Sequence, residues 1–313
     1  MKRIFKIIPA LLIACLVCGC ASFKQGMYNF MISSDRSRSG LTLSSVNVNG
    51  YTMSYLERPG KGETIVLIHG FTANKDNWNR FVRYIPKEYR VIAFDMPGHG
   101  DSDKSGTQTY TIDYMASNLD QAVNTLGISK FHLVGNSMGG WISIFYATRY
   151  PQKVISLCLV DNAGLQAVSP QPSDLQLAML KGQSPLTPSS KEEYDELLKY
   201  VFYKQPFIPW PITSVLADKA ITSCEFNKKV GKEFTTQSTD IYPLLPGLNV
   251  PVLVIWGDKD RILHVSTTEV LKKSLPNSEI VIIKDCGHMP MLERAKETAG
   301  YYVSFLNKHR GIQ

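Results

Sequence analysis

The feature that most restricts this chain is a series of short apolar runs, each too short for a helix and each bounded by glycine, proline or aspartate. They fall at residues 65–68, 91–94, 131–134, 154–160, 252–256 and 280–283. A strand that is apolar without alternation is buried on both faces, the condition of a parallel sheet covered by helices. Helix-like stretches separate the runs. The expected fold class is therefore α/β, a mostly parallel sheet with helices on both faces. Ahead of it, residues 41–48 and 51–57 alternate about Asn49-Gly50, the pattern of a hairpin.

One segment breaks the alternation. Between Asp161 and Pro251 there is no strand-like run but several helix-like ones. Ser190-Lys-Glu-Glu193 matches a capping box, and Tyr194, Leu197, Leu198 and Val201 then recur at helical spacing. A rigid apolar turn with three prolines follows at 206–211. A single core stops growing at roughly 250–300 residues, so a chain of 313 fits one core with an insertion. The economical division is a core from 41–164 and 241–313, with a helical cap at 165–240.

The N-terminus has a different character. Lys2, Arg3 and Lys6 precede an apolar stretch at 7–17, and Gly19-Cys20 follows, which is the logic of a secretory signal. Residues 17–20 resemble a bacterial lipobox, whose last cysteine is lipidated and becomes the mature N-terminus. An uncleaved anchor needs about 20 apolar residues, and this run is shorter. The expectation is a signal peptide at 1–19, acylation at Cys20, a membrane tether at 20–40, and a lipid-anchored place in the bacterial cell envelope. Loss of the three leader cations takes the net charge from +7 to +4, and a nucleic-acid partner recedes. Cys158, Cys224 and Cys286 then remain, without disulfide or metal spacing.

The chemistry sits at the ends of the apolar runs. Gly135-Asn136-Ser137-Met138-Gly139 lies directly after the run at 131–134 and before a helical stretch at 141–150. In that context G-x-S-x-G is a nucleophile turn that lifts the serine hydroxyl clear of the sheet. A serine needs a base, and the expected chain order is Ser, then an acid, then His. His288 ends Asp285-Cys286-Gly287-His288, after the run at 280–283. Two aspartates, Asp258 and Asp260, follow the run at 252–256, and either could reach an imidazole from there. The oxyanion donors expected are the N–H groups of Met138, after the nucleophile, and Phe71, in His69-Gly70-Phe71 after the run at 65–68.

Taken together these motifs identify the chain as similar to serine esterases and lipases of the α/β-hydrolase fold. The likeness is to the bacterial lipases of the Moraxella and Psychrobacter type and to α/β-hydrolase-domain monoacylglycerol lipases. It extends beyond the serine turn to His69-Gly70-Phe71 with Lys75, Asp76 and Trp78, to Asp95-Met-Pro97-Gly98-His-Gly100, to Trp256-Gly-Asp-Lys-Asp260 and to Asp285-Cys-Gly-His288. It covers roughly residues 50–305 and is weakest in the insertion. In that family the acid is the last aspartate of the W-G-x-x-D segment, which implies Asp260. The resemblance implies ester hydrolysis through Ser137, His288 and Asp260, with no metal or organic cofactor. The substrate would be a small-molecule ester or acylglycerol, and Met179, Phe207, Ile208 and Trp210 of the cap would line its pocket. Two alternatives stand beside it. The same serine turn occurs in C–C-bond hydrolases of aromatic meta-cleavage products, and a non-catalytic envelope protein could use the cap as a binding pocket.

Overall fold

A computed structural model describes residues 7–309, with side chains from Ser22 onward. Every apolar run forms a strand. The hairpin is β1 (Thr42–Val48) and β2 (Tyr51–Arg58), followed by β3 (Thr64–Ile68), β4 (Arg90–Phe94), β5 (Phe131–Asn136), β6 (Val154–Val160), β7 (Val252–Gly257) and β8 (Glu279–Ile283). They make one eight-stranded sheet of order β1-β2-β4-β3-β5-β6-β7-β8, in which only β2 runs against its neighbours. The hairpin closes through Asn49 and Gly50 at φ 52° and 80°, the paired left-handed residues of a two-residue turn.

The helices are α1 (Ile7–Arg38), the short α2 (Asn79–Val82), α3 (Ile112–Thr125) and α4 (Met138–Arg149). Between β6 and β7 come α5 (Asp174–Leu180), α6 (Lys191–Val201), α7 (Trp210–Thr222) and α8 (Cys224–Gln237). After β7 come α9 (Thr267–Ser274), α10 (Pro290–Glu293) and α11 (Ala295–Lys308). The strands feed two cores with period two. Val66, Ile68, Ile92, Phe94, Leu157 and Leu159 pack on the side of α3 and α4. Ile65, Leu67, Val91, Ala93, Cys158 and Val160 pack on the side of α2 and α11. Burying each such side chain is worth about 1.5–3 kcal/mol, which is why the runs carry no polar face.

The insertion contains helices and no strand. Its capping differs from expectation. Ser190 accepts from the Glu193 N–H at the start of α6, but the Glu193 carboxylate turns to Ser189. The reciprocal box forms instead at α5, between Ser173 and Gln176.

The segment read as a tether is ordered where it is described. The C-terminal half of α1 lies against the body of the protein. Arg36 holds Asp76 through two bonds of 2.6 and 2.7 Å, Asp35 pairs with Arg83, and Lys24 pairs with Asp218 of α7 at 2.5 Å. Tyr28 is buried under the Lys219 ammonium, 4.9 Å from its ring centre. Long-range ion pairs of this kind leave no trace in local composition. Residues 1–6 of the expected signal and the side chain of Cys20 lie outside the described residues. Among the described residues no helix is long and apolar enough to cross a membrane.

Candidate active site

The C-terminal ends of β3, β5, β6, β7 and β8 share one edge of the sheet, the place where open α/β sheets hold ligands. Ser137 leaves β5 at φ 55°, ψ −120° and enters α4 within one residue. Two glycines make that turn possible. A methyl on Gly135 would meet the Gly139 carbonyl oxygen at 2.2 Å, and one on Gly139 would meet that of Ile68 at 2.3 Å. The Ser137 N–H donates to the carbonyls of Val160 and Asp161, and its own carbonyl accepts from Gly140, Trp141 and Ala163. With its backbone held on every side, the residue presents its side chain to a cavity.

His288 faces the same cavity from the loop after β8. Its N–H donates to Val201 at the end of α6, and its carbonyl accepts from the Asn136 side chain at 3.1 Å. The loop is thus tied both to the cap and to the serine turn. Nδ1 of His288 lies 2.8 Å from Oδ2 of Asp260. The other oxygen of Asp260 accepts from the N–H groups of Ile262 and Leu263 at 2.8 and 3.0 Å. With Asp260 ionised, Nδ1 must be the protonated nitrogen, which leaves Nε2 as the free base. Asp258 is placed elsewhere. It accepts from Cys286 N–H at 3.3 Å and sits beside Lys259.

The loop after β3 brings the Phe71 amide to the serine turn. Gly70 approaches so closely that a methyl there would lie 3.0 Å from Cβ of Ser137. His69 sets the direction of the next amide. Its Nδ1–H donates to the Gly70 carbonyl at 2.7 Å, while Nε2 accepts from the Met96 N–H at 3.0 Å. In a trans peptide the N–H points opposite to the C=O, so fixing the Gly70 carbonyl also fixes the Phe71 N–H. Burial lowers His69 to about 4, keeping the ring neutral for this double role. Lys75 clamps the same loop to the one after β4. Its ammonium lies 2.5 Å from Asp95 and 2.6 Å from Asp101, and its N–H donates to Asp95.

The cavity has a volume of about 250 Å³. Ser137, His288 and Phe71 form one side, and Leu186, Tyr194, Leu197, Ile208 and Leu216 of the cap form the other. Tyr28 of α1 completes the wall. Of the four cap residues expected to line it, only Ile208 does so. Met179, Phe207 and Trp210 are exposed, at 56, 84 and 62%. Phe207 and Trp210 flank the rigid proline turn on its outer side, where the Phe207 carbonyl accepts from Arg80. Apolar character alone could not tell the two sides of that turn apart.

One residue at the site was passed over in the sequence. Asp161 directly follows β6, at the same sheet edge as the others, and is completely buried beside Asp260. Its only sequence signal is that strand-end position.

A hydroxyl, an imidazole with an orienting carboxylate, and two amides at a helix start and a loop can support acyl transfer. The family model for the α/β-hydrolase fold matches residues 63–194 and 209–295, and the gap falls inside the insertion. Lipase 3 of Moraxella sp. (strain TA144) is 36% identical over 88% of this chain and 88% of its own length. The monoacylglycerol lipase ABHD6 of Homo sapiens is 35% identical, over 82% of this chain and 79% of its own. Among solved structures, a membrane phospholipase A described as a bacterial virulence factor superposes with a TM-score of 0.91 at 37% identity. That match covers 99% of this chain and 100% of the other.

Proposed function

The chain belongs to the α/β-hydrolase fold family and is a lipase-type carboxylic-ester hydrolase, and from this premise we propose that Ser137, His288 and Asp260 are its catalytic triad. The observation that carries the proposal is the 2.8 Å contact from His288 to Asp260, with the free face of the ring and Ser137 in one apolar cavity. Nε2 of His288 takes the Ser137 proton as Oγ attacks the ester carbonyl carbon. The resulting oxyanion lies against the Phe71 and Met138 N–H groups, each worth about 2.7–4 kcal/mol to the transition state. The imidazolium returns its proton to the departing alcohol, leaving an acyl-enzyme. Water, deprotonated by the same ring, releases the acid.

The cavity supports a single-chain substrate. About 250 Å³ lies below the usual range for drug-sized ligands, roughly 300–1,000 Å³. A monoacylglycerol or short-chain ester suits it better than a triacylglycerol. The leader-like residues 1–19 and the lipobox ending at Cys20 support a lipid-anchored enzyme of the bacterial cell envelope. The likeness to a membrane phospholipase A favours a second substrate at the same site, the acyl ester of a glycerophospholipid.

Ser137→Ala should abolish p-nitrophenyl ester hydrolysis and covalent labelling by a fluorophosphonate. Retained labelling would refute the assignment of the nucleophile. A panel of monoacyl-, diacyl- and triacylglycerols with glycerophospholipids should show the monoacyl ester cleaved fastest. Faster phospholipid cleavage would select the second substrate.

A further inference from the structure

Asp161 takes no part in the mechanism above, yet it joins the residues that do. Its N–H donates to Ile255 of β7, and its carbonyl accepts from the Ser137 N–H. The backbone is left-handed at φ 44°, a conformation rare outside glycine, asparagine and aspartate, and it turns the side chain under the site. Oδ1 accepts from the Gly257 N–H at 2.9 Å. Oδ2 is buried without a hydrogen-bond partner. One oxygen of Asp161, one of Asp260 and a ring nitrogen of His288 all lie within 4.8 Å of one another.

Two carboxylates at this separation, both shut off from water, cannot both carry full charge, and a shared proton resolves the conflict. Among the described residues no lysine or arginine forms an ion pair with Asp161. Glu293, whose carboxylate accepts from the Gly287 N–H, adds a further negative charge nearby. Burial first, and then the charge of Asp260, hold the Asp161 carboxyl well above the usual carboxylate range, against the pull of the Gly257 N–H.

We propose that Asp161 is a positioning residue that stands as a neutral carboxylic acid, its O–H donating to the carboxylate of Asp260 and holding it in line with Nδ1 of His288. This rests on the triad reading above. It gives Asp260 a fourth donor beside Ile262, Leu263 and His288, and it spreads the carboxylate charge that His288 feels. No proton leaves the pair during turnover. Asp161 touches neither substrate nor the reacting atoms.

Two variants separate the roles. Asp161→Ala removes the donor. It should lower kcat at least about tenfold, the worth of one hydrogen bond to a charged group, with KM little changed. The acid limb of the pH profile should move to higher pH, because a less shared Asp260 charge favours the imidazolium. Asp161→Asn restores an N–H donor and should recover most of that loss with the limb back in place. If Asp161 were ionised, Asp161→Asn would delete a negative charge and move the limb to lower pH, which would overturn the proposal. Equal losses in both variants with wild-type limbs would mean a merely structural role and would also overturn it.

The second measurement needs no substrate. An acid whose folded pKa is raised keeps its full contribution to stability below the unfolded value of about 3.9 and loses it as pH rises toward the folded value. Asparagine has no such proton. The Tm of Asp161→Asn should therefore exceed wild type at pH 8, with the gap closing as pH falls toward 5. A lower Tm at pH 8 would overturn the proposal. If Asp161→Asn does not fold, infrared spectra of the wild type decide. A protonated-carboxyl band should be present at pH 8 and shift in Asp260→Asn, and its absence would overturn the proposal. These arms hold whether or not Ser137 is the nucleophile, so failure of the triad reading and failure of this one are told apart.

Discussion

The serine turn at Ser137 and Met138 could be read in the sequence because it is fixed by local geometry. A strand, a turn forced by Gly135 and Gly139, and a helix follow within a dozen residues, and the glycines are required by contacts of 2.2 and 2.3 Å. The acid was different. Asp258 and Asp260 are two residues apart after β7, and nothing local distinguishes them, because the choice depends on which one meets a loop 28 residues later. In the structure Asp260 alone bonds His288, while Asp258 accepts only weakly, at 3.3 Å, from Cys286. Asp260→Asn should therefore lower kcat by about 10⁴, through loss of the correct tautomer. Asp258→Asn should stay within about threefold, because its half-buried carboxylate pairs with exposed Lys259 and makes no bond to His288. Steady-state kcat on a soluble ester checks both, and comparable losses would mean the acid is misassigned. Asp260 was chosen only through the family resemblance, and Asp161 had no such help. Its orphaned oxygen appears only when β6 and β7 are side by side.

At the level of elements, the strands were legible because two-sided burial demands unbroken apolar runs, and their ends fell within a residue or two of the strands observed. Loop-to-loop links were not. A lysine after β3 reads as a solvated surface residue, yet the Lys75 side chain is 1% exposed and clasps Asp95, which is wholly buried. This pair joins the loop that carries Phe71 to the one after β4. Removing one member of a buried pair costs about 3–5 kcal/mol, because the partner charge is stranded. Lys75→Met should lower the unfolding free energy by that amount, read as a lower urea midpoint at an unchanged slope. Adding Asp95→Asn, which cannot be ionised, should recover part of the loss. A single-variant change under about 1 kcal/mol would show that the pair is not desolvated as the structure has it. The cap resisted reading in another way. Its apolar side chains serve both its own packing and the cavity, and only tertiary contacts assign Leu216 to the wall and Trp210 to the outside.

On the scale of the whole molecule, the N-terminal helix would connect the proposed lipid attachment to the proposed active site. Its Tyr28 is part of the cavity wall, and Lys24 and Arg36 bind α7 and the loop that follows Phe71. An acyl group on Cys20 would stand four residues before Lys24, on the same helix. The anchor would then hold the cavity at a set distance from the bilayer instead of trailing on a loose leash. Two acyl signals suffice for stable attachment where one chain does not. Cys20→Ser should therefore abolish palmitate labelling and move the protein to the aqueous fraction. Hydrolysis of a water-soluble ester should be unchanged, since that substrate reaches the cavity from bulk water with no need of the bilayer. Cleavage of a monoacylglycerol presented in vesicles should fall at least about tenfold, through lost local concentration. If the protein stays in the membrane after the substitution, the apolar run at 7–17 is itself the anchor and the lipobox is wrong. If it is released but vesicle cleavage is unaffected, attachment serves retention in the envelope and does not present the substrate.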